Sequence, residues 1–269
     1  MRDEVAAQIG PALEISGLSL SIGGTDILRN VSFDIPQGGF RSIVGPNGSG
    51  KTTLLRCVMG VITGWTGDVL VGGRPVASHR RRDLARLVSY VPQSDEMVFP
   101  YTGRELVMMG RYPHISPFTR PSRADIEVVE HTLETTGTLS FADRDMRTLS
   151  GGERQKMFIA GALAQEAGTM LLDEPTTFLD PRHTDEILSI LADLNRSGIT
   201  IVIVTHDINH AVHYADSVTA LVDGSIVFNG LSEDLMKNEV LGSVYGKEFT
   251  LVKHPVSGKM MVLPGGPRP

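Results

Sequence analysis

Short apolar segments separated by Gly, Pro and charged residues recur along this chain, and their periodicity differs between segments. Residues 13–21 alternate apolar and polar side chains, which is typical of a strand with one buried face. Residues 199–204 are instead continuously apolar and rich in Ile and Val, as in a parallel strand buried on both faces. By these criteria, strands are predicted at residues 13–21, 31–35, 40–44, 69–71, 87–91, 170–172, 199–204, 217–222 and 226–228.

Helix start signals occur between these strands. The capping-box pattern, a Ser or Thr followed three residues later by an acidic residue, occurs at Thr102/Glu105, Ser122/Asp125 and Ser150/Glu153. Asp180 followed by Pro181 is another typical helix N-terminus. The predicted helices span about residues 52–59, 102–110, 122–137, 150–164, 180–198 and 207–214. Residues 95–165 are therefore mostly helical, whereas strands and helices alternate on both sides of them.

Composition limits the classes of protein to which the chain can belong. Of its 269 residues, 41% are apolar and 21% are charged, which is ordinary for a globular protein. The net charge of −6 argues against a protein that coats nucleic acid, so no nucleic-acid partner is expected. No apolar run approaches the roughly 20 residues of a membrane span, so a role at a membrane would require a separate partner.

Two glycines in the first turn of the helix that begins at Ser150 are unexpected if that helix serves only for packing. Gly151 and Gly152 each cost about 0.8–1 kcal/mol relative to Ala inside a helix. They also leave backbone N–H groups uncovered at the positive end of the helix dipole, which favours anions. Ser150, Gly151 and Gly152 are therefore predicted to bind an anion.

A glycine-rich loop lies between the predicted strand at residues 40–44 and the following helix. Its sequence matches the phosphate-binding pattern G-x-x-x-x-G-K-[ST] and consists of Gly45, Pro46, Asn47, Gly48, Ser49, Gly50, Lys51 and Thr52. The glycines allow the backbone to wrap around phosphate groups with its N–H groups directed inward. Lys51 is predicted to reach the β- and γ-phosphates, and the Thr52 hydroxyl is predicted to bind Mg²⁺.

Two adjacent carboxylates follow the predicted strand at residues 170–172. Ligands of open α/β sheets bind where the strands end. Asp173 is therefore the predicted Mg²⁺ ligand, and Glu174 is the predicted general base that polarises the attacking water. The alternative, that Asp173 and Glu174 merely end a strand, is disfavoured by the phosphate-binding loop earlier in the chain.

In this order the motifs resemble those of the ABC ATPase superfamily over about residues 13–230. The resemblance identifies residues 149–155 as the signature motif, which in that family closes over a nucleotide held by a second copy of the cassette. It implies that Gln93 contacts Mg²⁺ or water, and that His206 is a switch histidine that contacts the γ-phosphate. Asp180 resembles the D-loop residue and also fits a plain helix N-cap. Thr53 is a further residue implied to contact the nucleotide.

The resemblance implies an α/β fold, with a P-loop NTPase (RecA-like) core, an antiparallel β subdomain and an inserted α-helical subdomain. We expect one ATPase domain over residues 12–230, with the core at about 12–94 and 166–230 and the helical subdomain at about 95–165. Residues 231–263 would form a C-terminal extension and residues 264–269 a disordered tail. The implied cofactors are ATP and Mg²⁺, and the implied assembly is a homodimer that sandwiches two ATP molecules.

Residues 105–114 and 173–180 resemble the ATPases of importers for iron-siderophores, haem and cobalamin. There the ATPase lies on the cytoplasmic face of the inner membrane and binds a separate integral-membrane permease dimer, which receives its cargo from a periplasmic or surface substrate-binding protein. The implied permease contacts are Phe99, Pro100, Tyr101 and residues 111–118, unless these aromatic residues only pack within the helical subdomain. Two alternatives stay open at this point: a non-transport ABC ATPase in regulation or repair, and an exporter ATPase.

One position departs from the family pattern. Family members carry an aromatic residue near the end of the first strand, where it stacks on adenine, whereas this chain has Ile22 there. We therefore expect an apolar contact from Ile22 and weaker selectivity for adenine over guanine.

Three other groups of residues receive structural interpretations. The set His206, His210 and His213 offers only weak support for a metal site, because His210 and His213 are predicted on the exposed side of their helix. Cys57 is predicted to be buried filler inside an apolar helix. A solvated basic face is predicted for Arg80, Arg81, Arg82 and Arg86.

Overall fold

The computed structural model describes residues 10–93, 100–255 and 258–263. The strands are β1 (Leu13–Ile22), β2 (Thr25–Ile35), β3 (Phe40–Val44), β4 (Thr66–Val71), β5 (Arg74–Pro75), β6 (Val88–Val91), β7 (Thr169–Asp173), β8 (Thr200–Val204), β9 (Ser217–Val222), β10 (Ser225–Leu231), β11 (Thr250–Lys253) and β12 (Met260–Leu263). The helices are α1 (Lys51–Val58), α2 (Arg81–Ala85), α3 (Gly103–Met109), α4 (Arg123–Thr135), α5 (Gly151–Ala164), α6 (Pro181–Arg196), α7 (Ile208–Tyr214) and α8 (Asn238–Tyr245).

The chain divides into two compact units. The first unit comprises Met1–Val76 and Val202–Pro269, and the second comprises Ala77–Ile201. The phosphate-binding loop and His206 belong to the first unit. Gln93, the two carboxylates and the helix with the paired glycines belong to the second.

Two larger sheets contribute strands to the described part of the first unit, in addition to the two-stranded sheet of β11 and β12. Strands β2, β1, β4 and β5 form an antiparallel sheet in that order, in which Leu13 pairs with both Ile35 and Val71. The order in the other sheet is β10-β9-β3-β8, with β3 parallel to β9. All five residues of β3 are buried, as expected for a strand covered on both faces. This burial fixes the position at which the glycine-rich loop leaves the sheet.

The C-terminal part of the chain packs into the core of the first unit. Leu235, Leu241 and Val244 share a buried apolar cluster with Val44 at the end of β3 and with Ala211 of α7. The antiparallel hairpin of β11 and β12 adds partly buried side chains to the same cluster. The described residues between 231 and 263 therefore form part of this core.

In the second unit, each of the three predicted capping boxes begins a helix. Thr102 and Glu105, Ser122 and Asp125, and Ser150 and Glu153 exchange the reciprocal hydrogen bonds that define the motif at the starts of α3, α4 and α5. Strand β6 runs parallel to β7, with Tyr90 opposite Leu171. The same register brings the C-terminal ends of β6 and β7 to one edge.

The predicted strands and helices are present with small differences in length. The largest difference is in β2, which begins at Thr25 rather than at residue 31. Residues 25–30 lie on an edge strand in which most side chains are exposed, so their polarity gives no alternating signal. The register of β1 and β2, with Ile22 opposite Thr25, extends the pairing to the turn at Gly23 and Gly24. The expected tail at residues 264–269 and the expected permease contact Phe99 lie outside the described residues.

Candidate functional site

Glycine is required at two positions of the phosphate-binding loop. Gly45 has φ +142° and Gly50 has φ +98°, values that residues with a side chain rarely adopt. A Cβ on Gly45 would overlap the carbonyl oxygen of Leu221, and a Cβ on Gly50 would lie 2.8 Å from the carbonyl oxygen of Ile27. The loop can therefore follow this path between β3 and α1 only with glycine at both positions.

The interior of the loop suits anionic oxygens. The Lys51 ammonium is buried and donates to the carbonyl oxygens of Gly45 at 2.9 Å and Pro46 at 3.0 Å. The Ser49 hydroxyl is also buried and has no hydrogen-bond partner within the described part of the chain. An unpartnered buried hydroxyl beside a cation, at the N-terminus of α1, fits a phosphate group well. Thr52 and Thr53 follow in the first turn of α1 and are partly exposed.

His206 lies between two fixed points of the first unit. The backbone N–H of Thr205 donates to the carbonyl oxygen of Ile43 at 3.1 Å, which ties the end of β8 to β3. On the other side, Asp207 caps α7 by accepting from the backbone N–H of His210 at 2.9 Å. The His206 side chain is exposed between these two anchors. Ile22 is half exposed at the end of β1, so its side chain is accessible to a ligand.

In the second unit, Asp173 is the last residue of β7 and is buried. Its Oδ2 accepts a hydrogen bond from the Tyr90 hydroxyl of the neighbouring strand β6 at 3.2 Å. Burial and this hydrogen bond together restrict the orientation of the carboxylate. Tyr90 was not among the predicted site residues, although it lies three residues before Gln93 on a predicted strand. Gln93 is exposed two residues beyond the end of β6.

Glu174 has a strained backbone. Its φ is +48°, in the left-handed region that residues other than glycine rarely adopt, and such strain costs about 1–3 kcal/mol. The Thr177 hydroxyl donates to Glu174 Oε2 at 3.1 Å. Strain of this kind persists only where the surrounding structure fixes it, and it concentrates at functional sites. The different backbone conformations of Asp173 and Glu174 allow these adjacent carboxylates to have different roles.

The N-terminus of α5 combines the capping box with the two glycines. Glu153 Oε2 accepts from the backbone N–H of Ser150 at 2.8 Å, and the Ser150 hydroxyl accepts from the backbone N–H of Glu153 at 3.2 Å. The hydrogen bond from the Ser150 backbone is the main cause that lowers the pKa of Glu153. Ser150 and Gly151 are exposed, whereas Gly152 is buried. An approaching molecule therefore meets Ser150 and Gly151 first.

Packing accounts for one of the two glycines, Gly152. A Cβ at this position would lie 2.8 Å from the Cβ of His183 and closer still to the carbons of its imidazole ring. Gly151 has more room, since its nearest neighbour would be Leu179 Cδ2 at 3.4 Å. Packing against α6 thus explains why position 152 is glycine. At position 151, in contrast, the available space does not require glycine.

Asp180 is confirmed as the N-cap of α6. It accepts from the backbone N–H of His183 at 3.0 Å, and its Oδ2 pairs with His183 Nδ1 at 2.7 Å. These hydrogen bonds, the backbone one foremost, lower the pKa of Asp180. Two residues earlier, Phe178 has φ +63° and is 80% exposed. The segment before α6 therefore presents an aromatic ring to solvent on a strained backbone.

The predicted basic face is exposed at Arg80, Arg81 and Arg86, whereas Arg82 is partly buried. Arg82 and Arg86 both donate to the carbonyl oxygen of Pro113, at 2.8 and 2.9 Å. Arg111 was expected on a contact surface, but its side chain is buried and paired with Asp125 at 3.1 Å and Glu166 at 2.6 Å. These arginines fix the segment after α3 from within. The exposed large apolar side chains among residues 111–118 are those of Tyr112 and Phe118.

Cys57 is buried in α1, as predicted. Burial raises the pKa of its thiol to about 11, so the thiolate is disfavoured. No helix in the described part of the chain is long and apolar enough to cross a membrane.

The chain is similar to a known protein family and to several known proteins over most of its length. Residues 28–177 match a family model described as ABC transporter. The chain is 39% identical to the ferric enterobactin transport ATP-binding protein FepC of Escherichia coli (strain K12) over 93% of this chain and 92% of that protein. It is 38% identical to the petrobactin import ATP-binding protein FpuD of Bacillus anthracis, over 95% of this chain and 94% of that one.

Two solved structures are similar to most of the chain. One is an inward-facing structure described as a metal-chelate type ABC transporter, with a TM-score of 0.82, 28% identity and coverage of 94% of this chain and 96% of that one. The other is a dimeric post-hydrolysis state of the ATP-binding cassette MJ0796 bound to ADP and Pi, with a TM-score of 0.70 and 27% identity. It covers 82% of this chain and 98% of that one.

Proposed function

This chain belongs to the ABC transporter family of ATP-hydrolysing subunits, and from that premise we propose that it energises import of an iron-siderophore, haem or cobalamin through a separate permease. The relatives FepC and FpuD are named for ferric enterobactin transport and petrobactin import. A further relative, 35% identical, is the hemin import ATP-binding protein HmuV of Rhodococcus jostii. The observation that carries the proposal is near full-length similarity to import subunits together with a complete phosphate-binding loop.

In the proposed mechanism, the loop of residues 45–52 binds the phosphates of ATP. Lys51 exchanges its hydrogen bonds to the Gly45 and Pro46 carbonyls for the β- and γ-phosphate oxygens, which have much higher negative charge. The buried Ser49 hydroxyl gains a partner at the same time. Thr52, Asp173 and Gln93 would hold Mg²⁺, which supplies charge neutralisation between the phosphates.

Glu174 is proposed as the general base. Its carboxylate accepts the proton of the attacking water as the oxygen approaches the γ-phosphate, while Gln93 positions that water. His206 donates a hydrogen bond to a γ-phosphate oxygen and thereby stabilises the charge that develops in the transition state. The Tyr90 hydroxyl keeps Asp173 in a fixed orientation throughout. Ile22 and Thr53 complete the contacts to the nucleotide, Ile22 by apolar contact with the base.

The site is proposed to be completed by a second copy of this chain. Ser150, Gly151 and Gly152 of one copy contact the γ-phosphate bound by the other, and Asp180 lies at the same interface. ATP bridges the copies, and hydrolysis removes the bridge so that the dimer opens. The dimeric cassette MJ0796, similar to this chain, supports this assembly.

The remaining partners follow from the proposed transport function. The homodimer binds a permease dimer at the cytoplasmic face of the membrane, and a periplasmic or surface protein delivers the cargo to that permease. The exposed aromatic residues Tyr101, Tyr112 and Phe118 of the second unit are proposed contacts for the permease.

Glu174→Gln provides the test of the catalytic part. A general base contributes about 10²–10⁴-fold, so the variant should bind ATP normally and lose at least about 100-fold in kcat. Thr177→Val is the matched control, since it removes the Thr177 hydroxyl bond to Glu174 and leaves the carboxylate. Normal turnover by Glu174→Gln would exclude Glu174 as the base.

Co-purification tests the transport part. The full chain, tagged and expressed with the membrane proteins encoded beside it, should bring down a permease and stimulate vesicle uptake of a ferric siderophore, haem or cobalamin. An ATPase that purifies without a permease would favour regulation or repair, and ATP-driven efflux would indicate an exporter. Either result would overturn the proposal of import.

A further inference from the structure

The C-terminal hairpin of β11 and β12 contacts α7 through specific hydrogen bonds. Asn209 Nδ2 donates to the carbonyl oxygen of Val262 at 3.0 Å, and the backbone N–H of Val262 donates to Asn209 Oδ1 at 2.8 Å. One side chain thus pairs with both backbone groups of one hairpin residue, in the manner of a neighbouring strand. This geometry fixes the helix and the hairpin relative to each other along two directions.

A second contact joins the same two elements at the other end of the helix. Lys259 Nζ donates to the carbonyl oxygen of His213 at 2.8 Å, in the last turn of α7. A cation at a helix C-terminus also interacts favourably with the helix dipole. Because α7 has only the seven residues Ile208–Tyr214, these two contacts hold nearly its whole length.

The segment before the hairpin packs against the end of the strand that leads into the phosphate-binding loop. The hydroxyl of Tyr245, the last residue of α8, is buried and has no hydrogen-bond partner among the described residues. Burial, and then the Asp207 charge, raise the pKa of this phenol to about 12. The phenol therefore stays neutral at physiological pH. Val244, the residue before Tyr245, lies with Val44 in one buried cluster.

His206 immediately precedes the helix that is held in this way. One neighbour, Thr205, is tied to β3, and the other, Asp207, caps α7. The backbone of His206 can therefore move mainly by displacing α7. The hydrogen bonds of Asn209 with Val262 and of Lys259 with His213 oppose that displacement.

We propose that the C-terminal hairpin braces α7 and that Asn209 is a positioning residue for His206, required for hydrolysis but not for nucleotide binding. The inference rests on the proposed function, because it assigns the effect to the switch histidine of the ATPase. Asn209 itself contacts Val262 of the hairpin and acts through the helix.

Steady-state ATPase kinetics of the full chain with Asn209→Ala tests the inference. Small misplacement of a reacting group can cost up to about 100-fold in rate, so kcat should fall about tenfold or more while KM for ATP changes less than about twofold. Asn195→Ala is the matched control. It also removes a side-chain donor to a backbone carbonyl, that of Ile199 at 3.0 Å, but in the second unit. It should leave kcat within about twofold of the wild type.

A second variant and a hydrogen-exchange measurement distinguish the proposed positioning effect from a failure to fold. Lys259→Met removes the exposed contact to His213 and should also lower kcat. In the double variant with Asn209→Ala, the loss of kcat should be smaller than the sum of the two single losses, because both residues hold the same helix. Hydrogen exchange of residues 205–214 should accelerate in both variants and not in Asn195→Ala.

The outcomes separate this inference from the proposed function. Wild-type kcat in both Asn209→Ala and Lys259→Met, an equal loss in Asn195→Ala, or a raised KM with unchanged kcat would overturn the positioning role. A wild-type chain that hydrolyses no ATP, alone or with its permease, would instead overturn the proposed function on which the inference rests.

Discussion

The imidazole ring of His183 occupies the space that a side chain at position 152 would need. His183 is held there by Asp180, which accepts both its backbone N–H and its Nδ1 proton. The first turn of α5 and the first turn of α6 therefore pack in direct contact through a glycine. A displacement of Asp180, which caps α6, would therefore also displace His183, and His183 packs directly on Gly152.

Gly152→Ala is expected to destabilise the protein. The added methyl group overlaps His183, and overpacking of this kind costs about 1–3 kcal/mol, more than the gain in helix propensity. Gly151→Ala, in which the new Cβ meets Leu179 Cδ2 at 3.4 Å, should be neutral or slightly stabilising. Urea unfolding of both variants measures the difference. Equal stability would mean that His183 moves aside without cost.

Ser150→Arg should spare nucleotide binding by one chain and abolish ATP-driven dimerisation and hydrolysis. The long cation would fill the space proposed for the partner's γ-phosphate. Because the change also removes an N-cap, worth about 0.5–2 kcal/mol, Ser122→Arg serves as the control. It removes the equivalent cap of α4 in the same unit. Analytical ultracentrifugation with ATP, in a Glu174→Gln background, reports the outcome, and dimers of Ser150→Arg would contradict the proposed interface.

Competition binding should show that the wild type prefers ATP over GTP by less than about tenfold, or 1.4 kcal/mol. The reason is that Ile22, half exposed at the end of β1, cannot stack on the base as a ring does. Ile22→Tyr should strengthen ATP binding, since stacking of a base on an aromatic side chain is worth about 1–3 kcal/mol. A strong ATP preference in the wild type would refute the role given to Ile22.

Stability should rise with pH just below neutrality, in part because of His213. Its burial, followed by the charges of Lys259, His254 and His210, lowers the pKa of His213 below the usual value of about 6.5. Between the lowered pKa and about 6.5 the unfolded chain binds more protons, so unfolding becomes easier as pH falls through that window. His213→Gln should reduce the difference between urea midpoints at about pH 5 and about pH 8. The effect is modest because His213 is only partly buried. An unchanged difference would exclude His213 as a cause of this pH dependence.

Much of the fold was accessible from local sequence patterns. Burial on both faces makes the centre of β7 and most of β8 continuously apolar, and a capping box requires only two residues three apart, so these elements were predicted nearly to the residue. The exposed half of β2 was missed because an edge strand with polar residues on both faces has no periodic signal.

The sequence alone determined the chemistry of the phosphate-binding loop, since glycines at this fixed spacing, followed by a lysine and a hydroxyl residue, are typical of a backbone that wraps phosphate groups. Only the tertiary structure decided which residues support that chemistry. The bond from Tyr90 to Asp173, the packing of His183 on Gly152 and the pairing of Asn209 with Val262 join residues that are 83, 31 and 53 positions apart. Contacts between distant segments depend on how strands and helices pack, and local spacing carries no record of them. For the same reason the burial of Arg111 against Asp125 and Glu166 could not be foreseen from its neighbours in the chain.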